Sequence, residues 1–360
     1  MNRLVLIGNG FDLAHGLKTS YADFINWYLE EWGKRLMVEK KYKEEDEFCS
    51  FELRDKLGIG NWYLVRDWCF QGMKMNAMEF VQRVKSDTSL CFFKYKSSFF
   101  EQINKQIESK RWVDIENEYY KMLVNTKSFG NGYHHLNEQL KCLREKMIEY
   151  LNQESKKEVA TIESIEEKIY RPIERREVVV SMRHHTEDDF KLSSIMLLNF
   201  NYTPTPERYM KGHANVTINY IHGRLNNPKS IIFGYGDELD KDFSRLKELN
   251  DNECLRYVKS INYLEADNYR KLLEFIESEP FQIVIMGHSC GNSDRTLLNK
   301  LFEHPYCVSI KPYYYINDQQ EDNFLEMVQN IYRNFTDLQQ MRARVVVKPN
   351  TEALTNHIKQ

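Results

Sequence analysis

The pattern of apolar and polar positions divides this chain into strand-like stretches at its two ends and a helix-like middle. A short continuous apolar run that is bounded by Gly, Asn or Asp is typical of a strand buried on both faces of a sheet. Such runs predict strands at residues 4–7, 195–198, 217–221, 231–233, 282–286, 307–316 and 344–347, with 178–182 as a weaker example. The predicted strands therefore come from both ends of the chain.

The middle of the chain, residues 23–176, has a different pattern. Apolar side chains recur there at helical spacing, as Phe24 and Tyr28 do, among many Glu and Lys residues. The most helical stretch is 136–171, and Pro172 is expected to end it because proline cannot continue a helix. We predict a large, mainly helical insertion between the first and second strands of the sheet.

After residue 282, predicted strands alternate with helical stretches at 296–302 and 324–341. This alternation is typical of parallel strands that are connected by helical crossovers. We therefore expect an α/β fold, in which residues 1–22 and 177–360 form a doubly wound, mostly parallel sheet that residues 23–176 interrupt.

Composition and charge are those of a globular protein with a charged surface. Of the 360 residues, 42% are apolar, which is enough for a substantial core although the mean hydropathy is −0.63. The formal net charge of −3 provides no basic field, so direct binding of nucleic acid is not indicated.

Cysteine and histidine spacing argues against metal sites and disulfides. The seven cysteines form no C-x-x-C pair, and the adjacent histidines at 134–135 and 184–185 would diverge on a helix, so no metal is expected. No apolar run approaches the roughly 18 residues of a membrane span, and the chain starts in a strand without a secretory leader. We predict a soluble protein of the reducing cytoplasm.

The first predicted strand runs into a glycine-rich turn at residues 8–12, and a helix-forming stretch follows. This layout can cradle a phosphate, because glycine lets the backbone approach the anion and a helix start supplies free N–H groups. The dinucleotide fingerprint G-x-G-x-x-G is incomplete, since Leu13 takes the place of the third glycine. A tight turn without a ligand is the competing interpretation. Asp12 is placed to bond a ribose hydroxyl or to cap the backbone.

Small and polar residues also follow four other predicted strands, in the segments 199–203, 222–223, 234–237 and 287–289. In an open α/β sheet, ligands bind beyond the carboxyl ends of the strands. We therefore expect the five clusters to line one crevice that binds a nucleotide.

These segments together resemble the AbiH family of bacteriophage abortive-infection proteins. Residues 8–21, GNGFDLAHGLKTSY, are similar to the N-terminal motif of that family. The later segments NFNYT at 199–203, IHG at 221–223, FGYG at 233–236 and GHSCGNSD at 287–294 resemble its further motifs in the same order. The resemblance spans nearly the whole chain. It implies a role in defence against phage, with a phage-derived trigger and with a second copy or a neighbouring defence protein bound through the helical insertion.

AbiH proteins in turn resemble sirtuins and the sirtuin-like proteins that consume NAD, which implies a Rossmann-like sheet. In that resemblance, Gly8 and Gly10 match the phosphate-binding glycines, Asn201 the Asn near the nicotinamide ribose and His222 the catalytic His. Gly234 matches the glycine of a Phe-Gly pair, and residues 287–289 resemble the cofactor loop.

The departures from sirtuins bear on the reaction. Asp12 stands where sirtuins have Ser, Thr203 stands where related proteins have Asp, and the four zinc cysteines of deacetylating sirtuins are missing. The resemblance therefore implies simple cleavage of NAD, as a substrate, rather than protein deacetylation.

The residue types suit that chemistry. Cleavage of the nicotinamide–ribose bond passes through an oxocarbenium-like state and needs a group that activates water, a task for which His222 is suited near neutral pH. The Asn201 amide can position the water or a ribose hydroxyl. Alternatively, His222 bonds only to the backbone and His15 only shapes its loop. The predicted cofactor-binding residues are Gly8, Asn9, Gly10, Phe11, Asp12, His15, Tyr202, Gly234, Gly287, His288, Ser289 and Asp294.

Two other functions compete with NAD cleavage. Residues 287–291 fit G-x-S-x-G, the nucleophile elbow of α/β-hydrolases, with Ser289 as the nucleophile, Asp318 or Asp337 as the acid and His357 as the base. The second competitor is a nucleotide-sensing or scaffold protein that binds NAD without turning it over and uses the helical insertion as an interaction surface.

Overall fold

The structure is a computed structural model that describes residues 1–38, 43–53, 91–105, 112–126, 132–210, 212 and 214–355. Contacts divide the chain into two compact units. The first unit consists of Met1–Lys18 and Leu151–Gln360, and the second is Thr19–Tyr150. The second unit thus ends at Tyr150, whereas the sequence prediction extended the insertion to residue 176.

The described strands are β1 (Asn2–Ile7), β2 (Lys43–Glu45), β3 (Cys49–Leu53), β4 (Cys91–Tyr95), β5 (Ile195–Asn199), β6 (Val216–Tyr220), β7 (Phe281–Met286) and β8 (Cys307–Tyr313). The described α-helices are α1 (Asn9–Ala14), α2 (Tyr21–Val38), α3 (Ser98–Ile103), α4 (Trp112–Asn125), α5 (Gly132–Glu154), α6 (Glu163–Tyr170), α7 (Lys241–Glu248), α8 (Lys259–Asn262), α9 (Asn268–Ser278), α10 (Arg295–Phe302), α11 (Phe324–Arg333) and α12 (Leu338–Arg344). None of the described helices has the length and apolar character needed to cross a membrane.

The first unit contains a five-stranded sheet in the order β6-β5-β1-β7-β8, and every neighbouring pair in it is parallel. The predicted α/β fold is therefore confirmed. The strand order reverses between β1 and β7, and such a reversal opens a crevice at the carboxyl ends of the strands. Ile7 pairs with both Asn199 and Met286, so the turns after β1, β5 and β7 leave the sheet at the same edge.

Helices cover both faces of this sheet, because successive side chains of a strand point to opposite sides. Leu4 and Leu6 pack in one buried cluster with side chains of α9, α10, α11 and α12. Val5 and Ile7 pack in a second cluster with Phe11 of α1 and with side chains of α6. Burial of each such side chain contributes about 1.5–3 kcal/mol, so the apolar runs read from the sequence are the core of this unit.

Three predicted strands are wrong. Residues 231–233 form an irregular segment after a 3-10 turn, and their apolar side chains are buried there without belonging to the sheet. Residues 178–182 contain a 3-10 turn. In the segment 344–347, Val345 forms only an isolated bridge with Ile310, because α12 extends to Arg344. An apolar run indicates burial, but burial occurs in irregular segments as well as in strands.

The second unit contains α2, α3, α4 and most of α5, together with an antiparallel sheet in the order β2-β3-β4. The sequence predicted the helices but not this sheet. Its core is aromatic: the ring of Phe48 stacks on that of Phe100 at 4.6 Å, and Phe51 pairs with Phe93 across the strands. The predicted helix over 136–171 is two helices, α5 and α6, and the second ends at Tyr170, before Pro172.

Candidate functional site

The glycine turns that follow β1 and β7 pack directly against each other. Gly8 N donates to Met286 O at 3.3 Å, and Gly10 N donates to Gly287 O at 2.9 Å. A Cβ atom on Gly8 would lie 2.5 Å from His288 Cα, which is closer than real atoms approach. Both glycines are therefore required for the contact between the two turns. The sequence had attributed them to the approach of a phosphate.

The turn after β5 is attached to the first glycine turn by side-chain amides. Asn201 N donates to Asn199 Oδ1 at 3.0 Å, and Asn201 Nδ2 donates to Gly8 O at 2.9 Å. The other amide atom of Asn201, Oδ1, has no hydrogen-bond partner among the described residues. Asn201 thus fixes the turn through its nitrogen atoms and leaves Oδ1 as an acceptor without a partner among the described residues.

Asp12 lies just inside the start of α1 and is 1% exposed. Its Oδ2 accepts a hydrogen bond from Thr203 Oγ1 at 2.6 Å, whereas Oδ1 is buried without a hydrogen-bond partner. Burial raises the pKa of Asp12 from 3.8 to about 6, although the Thr203 hydroxyl opposes the shift. A carboxylate in this position costs stability when it is ionised.

His222 follows β6 and is buried at the same edge of the sheet. Its Nε2 lies 3.2 Å from Asp294 Oδ1 and 3.1 Å from the Tyr263 hydroxyl, and the Phe200 ring meets it edge to face at 5.2 Å. No described residue bonds to His222 Nδ1. Burial and the nearby Lys259 cation lower the pKa of His222, against the opposing effect of Asp294.

The Asp294 carboxylate is the centre of this cluster. Lys259 Nζ donates to Asp294 Oδ1 at 2.8 Å, and His288 Nε2 lies 3.7 Å from Oδ2. Burial alone would raise the pKa of Asp294, but the Lys259 cation and the hydrogen bonds from His222 and His288 outweigh it and hold that pKa well below its usual range. An ionised Asp294 accepts the Nε2–H of His222, which leaves Nδ1 as the proton-accepting nitrogen of a neutral ring.

His288 completes the cluster from the turn after β7. Its Nδ1 accepts the backbone N–H of Cys290 at 3.0 Å, so its proton is on Nε2 and points towards Asp294. The His288 ring also packs on Phe200 at a centroid distance of 4.1 Å. His288 therefore helps to hold Asp294 and has no ring nitrogen left to act as a base.

The family model of bacteriophage abortive infection AbiH matches residues 4–316. The chain belongs to the AbiH family. The match covers β1 from Leu4 onward, the other four strands of the parallel sheet and all residues of the cluster just described. A search of curated proteins found no match.

The AbiH site combines most of the residues predicted from the sequence. The turns after β1, β5, β6 and β7 bring together Gly8, Gly10, Asn201, His222, Gly287, His288 and Asp294. Asn9 and Phe11 belong to the same first turn, and Asn9 N has no hydrogen-bond partner among the described residues. Within the described chain, the Asn9 N–H is therefore left without a partner at this turn, where the sequence suggested several such groups.

His15 of the AbiH chain has a structural role. Its Nδ1 lies 2.7 Å from Phe11 O and its Nε2 lies 2.6 Å from the Tyr209 hydroxyl, which itself accepts Ile162 N at 2.9 Å. Because the Phe11 carbonyl oxygen can only accept, the proton of the neutral His15 ring is on Nδ1, and the Tyr209 hydroxyl donates to Nε2. Burial lowers the pKa of His15, in agreement with this form. Both ring nitrogens are occupied, so His15 shapes the loop.

Tyr202 and Gly234 hold loops together at the rim of the site. The Tyr202 hydroxyl donates to Ile232 O at 3.0 Å. A Cβ on Gly234 would lie 2.0 Å from Tyr257 O, so this glycine permits the close approach of two loop segments. These contacts with Ile232 and Tyr257 explain the positions of Tyr202 and Gly234.

The hydrolase alternative is not supported by the geometry around Ser289. A nucleophile elbow places the serine itself at the sharp turn, but here Gly287 and Cys290 have the positive φ angles, 73° and 52°. Within the described ranges, no His or Asp side chain bonds to the Ser289 hydroxyl. The predicted base, His357, lies outside the described residues.

Sequence reasoning missed Lys259 and Tyr263. Both come from the segment between β6 and β7, and both side chains are buried against the site. The sequence around them shows an ordinary helical turn, and a lysine there is normally solvated. Only the burial of Lys259 beside Asp294 distinguishes it from a solvated lysine. Within the part of the chain that the structure describes, no group of three His, Cys, Asp or Glu side chains could hold a metal ion.

Replacing Asp12 by asparagine is expected to stabilise the AbiH chain by about 2 kcal/mol near pH 7, because the variant has no carboxyl group to ionise in a buried site. Since the folded-state pKa is raised from 3.8 to about 6, wild-type stability falls as pH rises through that window, and the advantage of Asp12→Asn disappears below it. Urea unfolding at several pH values measures the difference. The exposed Asp318→Asn is the control, and a less stable Asp12→Asn at neutral pH would contradict the prediction.

Proposed function

We propose that this AbiH protein binds NAD beyond the carboxyl ends of its parallel strands and hydrolyses it to nicotinamide and ADP-ribose. The observation that carries this proposal is the buried pair of His222 and Asp294, with Nε2 and Oδ1 3.2 Å apart and Nδ1 left without a protein partner in the described chain. An imidazole held by a carboxylate in this way is an effective general base.

The reaction balances without a metal or a redox step. The water oxygen bonds to C1′ of the nicotinamide ribose, and the N-glycosidic bond breaks with its electron pair going to the pyridinium nitrogen. Nicotinamide leaves as a neutral base, and the water proton passes to His222 Nδ1 and then to solvent. Asn201 Oδ1 is the acceptor that would orient a ribose hydroxyl, because its amide nitrogen is fixed on Gly8.

The sheet supports the choice of ligand. The five strands, numbered along the chain, lie in the order 3-2-1-4-5, which is the order of Rossmann-like sheets that bind dinucleotides at the reversal point. Asn201, His222 and His288 all follow strands at that edge. The described free cysteines suit a cytoplasmic setting, where NAD is available.

A second candidate is a sensing or scaffold protein that binds a nucleotide without cleaving it. Gly8 N is bonded to Met286 O at the end of β7 and Gly10 N to Gly287 O in the turn that follows, so the first glycine turn offers a phosphate fewer N–H groups than its sequence suggests. Such a protein would act through a partner, either a second copy or a neighbouring defence protein. The helical second unit is the surface that we propose for that contact, with a phage-derived trigger.

His222→Ala separates the two candidates. During phage challenge, cells with the wild-type protein are expected to lose NAD and accumulate nicotinamide, whereas the variant cleaves NAD about 10²–10⁴-fold more slowly because it lacks the general base. The measurement is the cellular content of NAD, nicotinamide and ADP-ribose, together with survival.

The exposed His184→Ala is the matched control and is expected to behave as wild type. Constant NAD in wild-type cells that are still protected would exclude hydrolysis and favour the sensing protein. Equal NAD loss with His222→Ala would remove His222 from the mechanism.

A further inference from the structure

Lys259 is buried in a place that costs free energy. The residue is 1% exposed, and a lysine ammonium taken out of water costs several kcal/mol unless an anion compensates it. The ammonium donates to Asp294 Oδ1 at 2.8 Å and lies 3.5 Å from Ser293 Oγ. Its backbone is fixed as well, since Lys259 N donates to Tyr235 O at 2.7 Å. Lys259 is therefore held beside Asp294 by its backbone as well as by its ammonium.

The oxygen that Lys259 binds is the one that faces the base. Asp294 Oδ1 lies 3.2 Å from His222 Nε2, so the ammonium and the imidazole share a single carboxylate oxygen. Among the described residues, the other polar groups near His222 are Tyr263, whose hydroxyl lies 3.1 Å from Nε2, and His288, which approaches Asp294 Oδ2. Lys259 supplies the permanent positive charge of this cluster.

We propose that Lys259 is a positioning residue of the site: by holding Asp294 Oδ1 it keeps the His222 ring neutral and able to accept a proton at Nδ1. Without the ammonium, the buried carboxylate would have His222 as its nearest cation, and the pair would become imidazolium and carboxylate. A protonated ring cannot accept the proton of water. The role in catalysis rests on the proposed NAD hydrolysis, whereas the effect on the His222 ring does not.

The test uses the full chain with Lys259→Met, which keeps the length of the side chain, and Lys259→Arg, which keeps the charge. We expect the NMR titration of the His222 ring, in protein with ¹³C-labelled histidine, to move to higher pH in Lys259→Met and to stay near wild type in Lys259→Arg. We also expect NAD cleavage by Lys259→Met to fall about tenfold near pH 7 and to recover as the pH is raised, because one neighbouring charge changes a pKa by about a unit or more.

The double variant Lys259→Met/Asp294→Asn separates electrostatics from folding. It removes both charges, so the His222 titration should return to lower pH than in Lys259→Met. An unchanged His222 titration in Lys259→Met, or the same shift in Lys259→Arg, would overturn the proposal. If the His222 titration shifts in Lys259→Met but the wild-type chain cleaves no NAD at any pH, the role of Lys259 stands and the hydrolase function is refuted.

Discussion

Asp294→Ala is expected to lower the free energy of unfolding by about 3–5 kcal/mol, because removing one partner of a buried ion pair leaves the other charge uncompensated. Lys259 is the stranded partner: it is 1% exposed and its ammonium lies 2.8 Å from Asp294 Oδ1. His222 also loses the acceptor of its Nε2–H. Urea or thermal unfolding of the whole chain measures the loss.

The double variant Lys259→Met/Asp294→Ala tests whether the uncompensated charge of Lys259 causes the loss of stability. If the loss comes from an unpaired charge, the double variant is more stable than Asp294→Ala alone, because replacing both partners by apolar groups costs less than breaking the pair. Additive destabilisation by the two substitutions would show that packing around Asp294, rather than charge, explains its effect.

Gly287→Ala is expected to destabilise the chain by about 3–5 kcal/mol, through backbone strain at positive φ and through overpacking. Gly287 has φ 73°, and a Cβ atom there would lie 2.1 Å from Phe11 N and 2.5 Å from Gly10 C. These backbone atoms of α1 could move away only if the turns after β1 and β7 separated. The thermal midpoint of unfolding is the measurement.

Gly16→Ala provides a matched comparison for Gly287→Ala. Gly16 has a similar φ of 79°, but nothing lies within 4 Å of the position of its Cβ. Its substitution should therefore show the conformational cost alone, about 1 kcal/mol. Equal effects of the two substitutions would mean that the contact between the glycine turns is not tightly packed.

Local signals were sufficient for the parallel sheet. The apolar run in β1 and the run in β7 predicted strands because each is buried on both faces, and the structure places both at the centre of the sheet. The turn after β1 was also evident, since glycine followed by a helix-forming stretch is a local pattern. Residues 231–233 show the limit of such a pattern: the same apolar character is found in a segment whose Ile232 N bonds to His222 O.

AbiH membership, the α/β fold and the polar turns at one edge of the sheet could all be predicted from the sequence, because motif order and strand burial depend on consecutive residues. The contacts between those turns became visible only in the folded chain. The packing of Gly8 against His288, and the shared oxygen of Asp294 between Lys259 and His222, join residues that are far apart in the chain. Burial and charge compensation depend on neighbours that are distant in the sequence, and a local sequence pattern does not predict such neighbours.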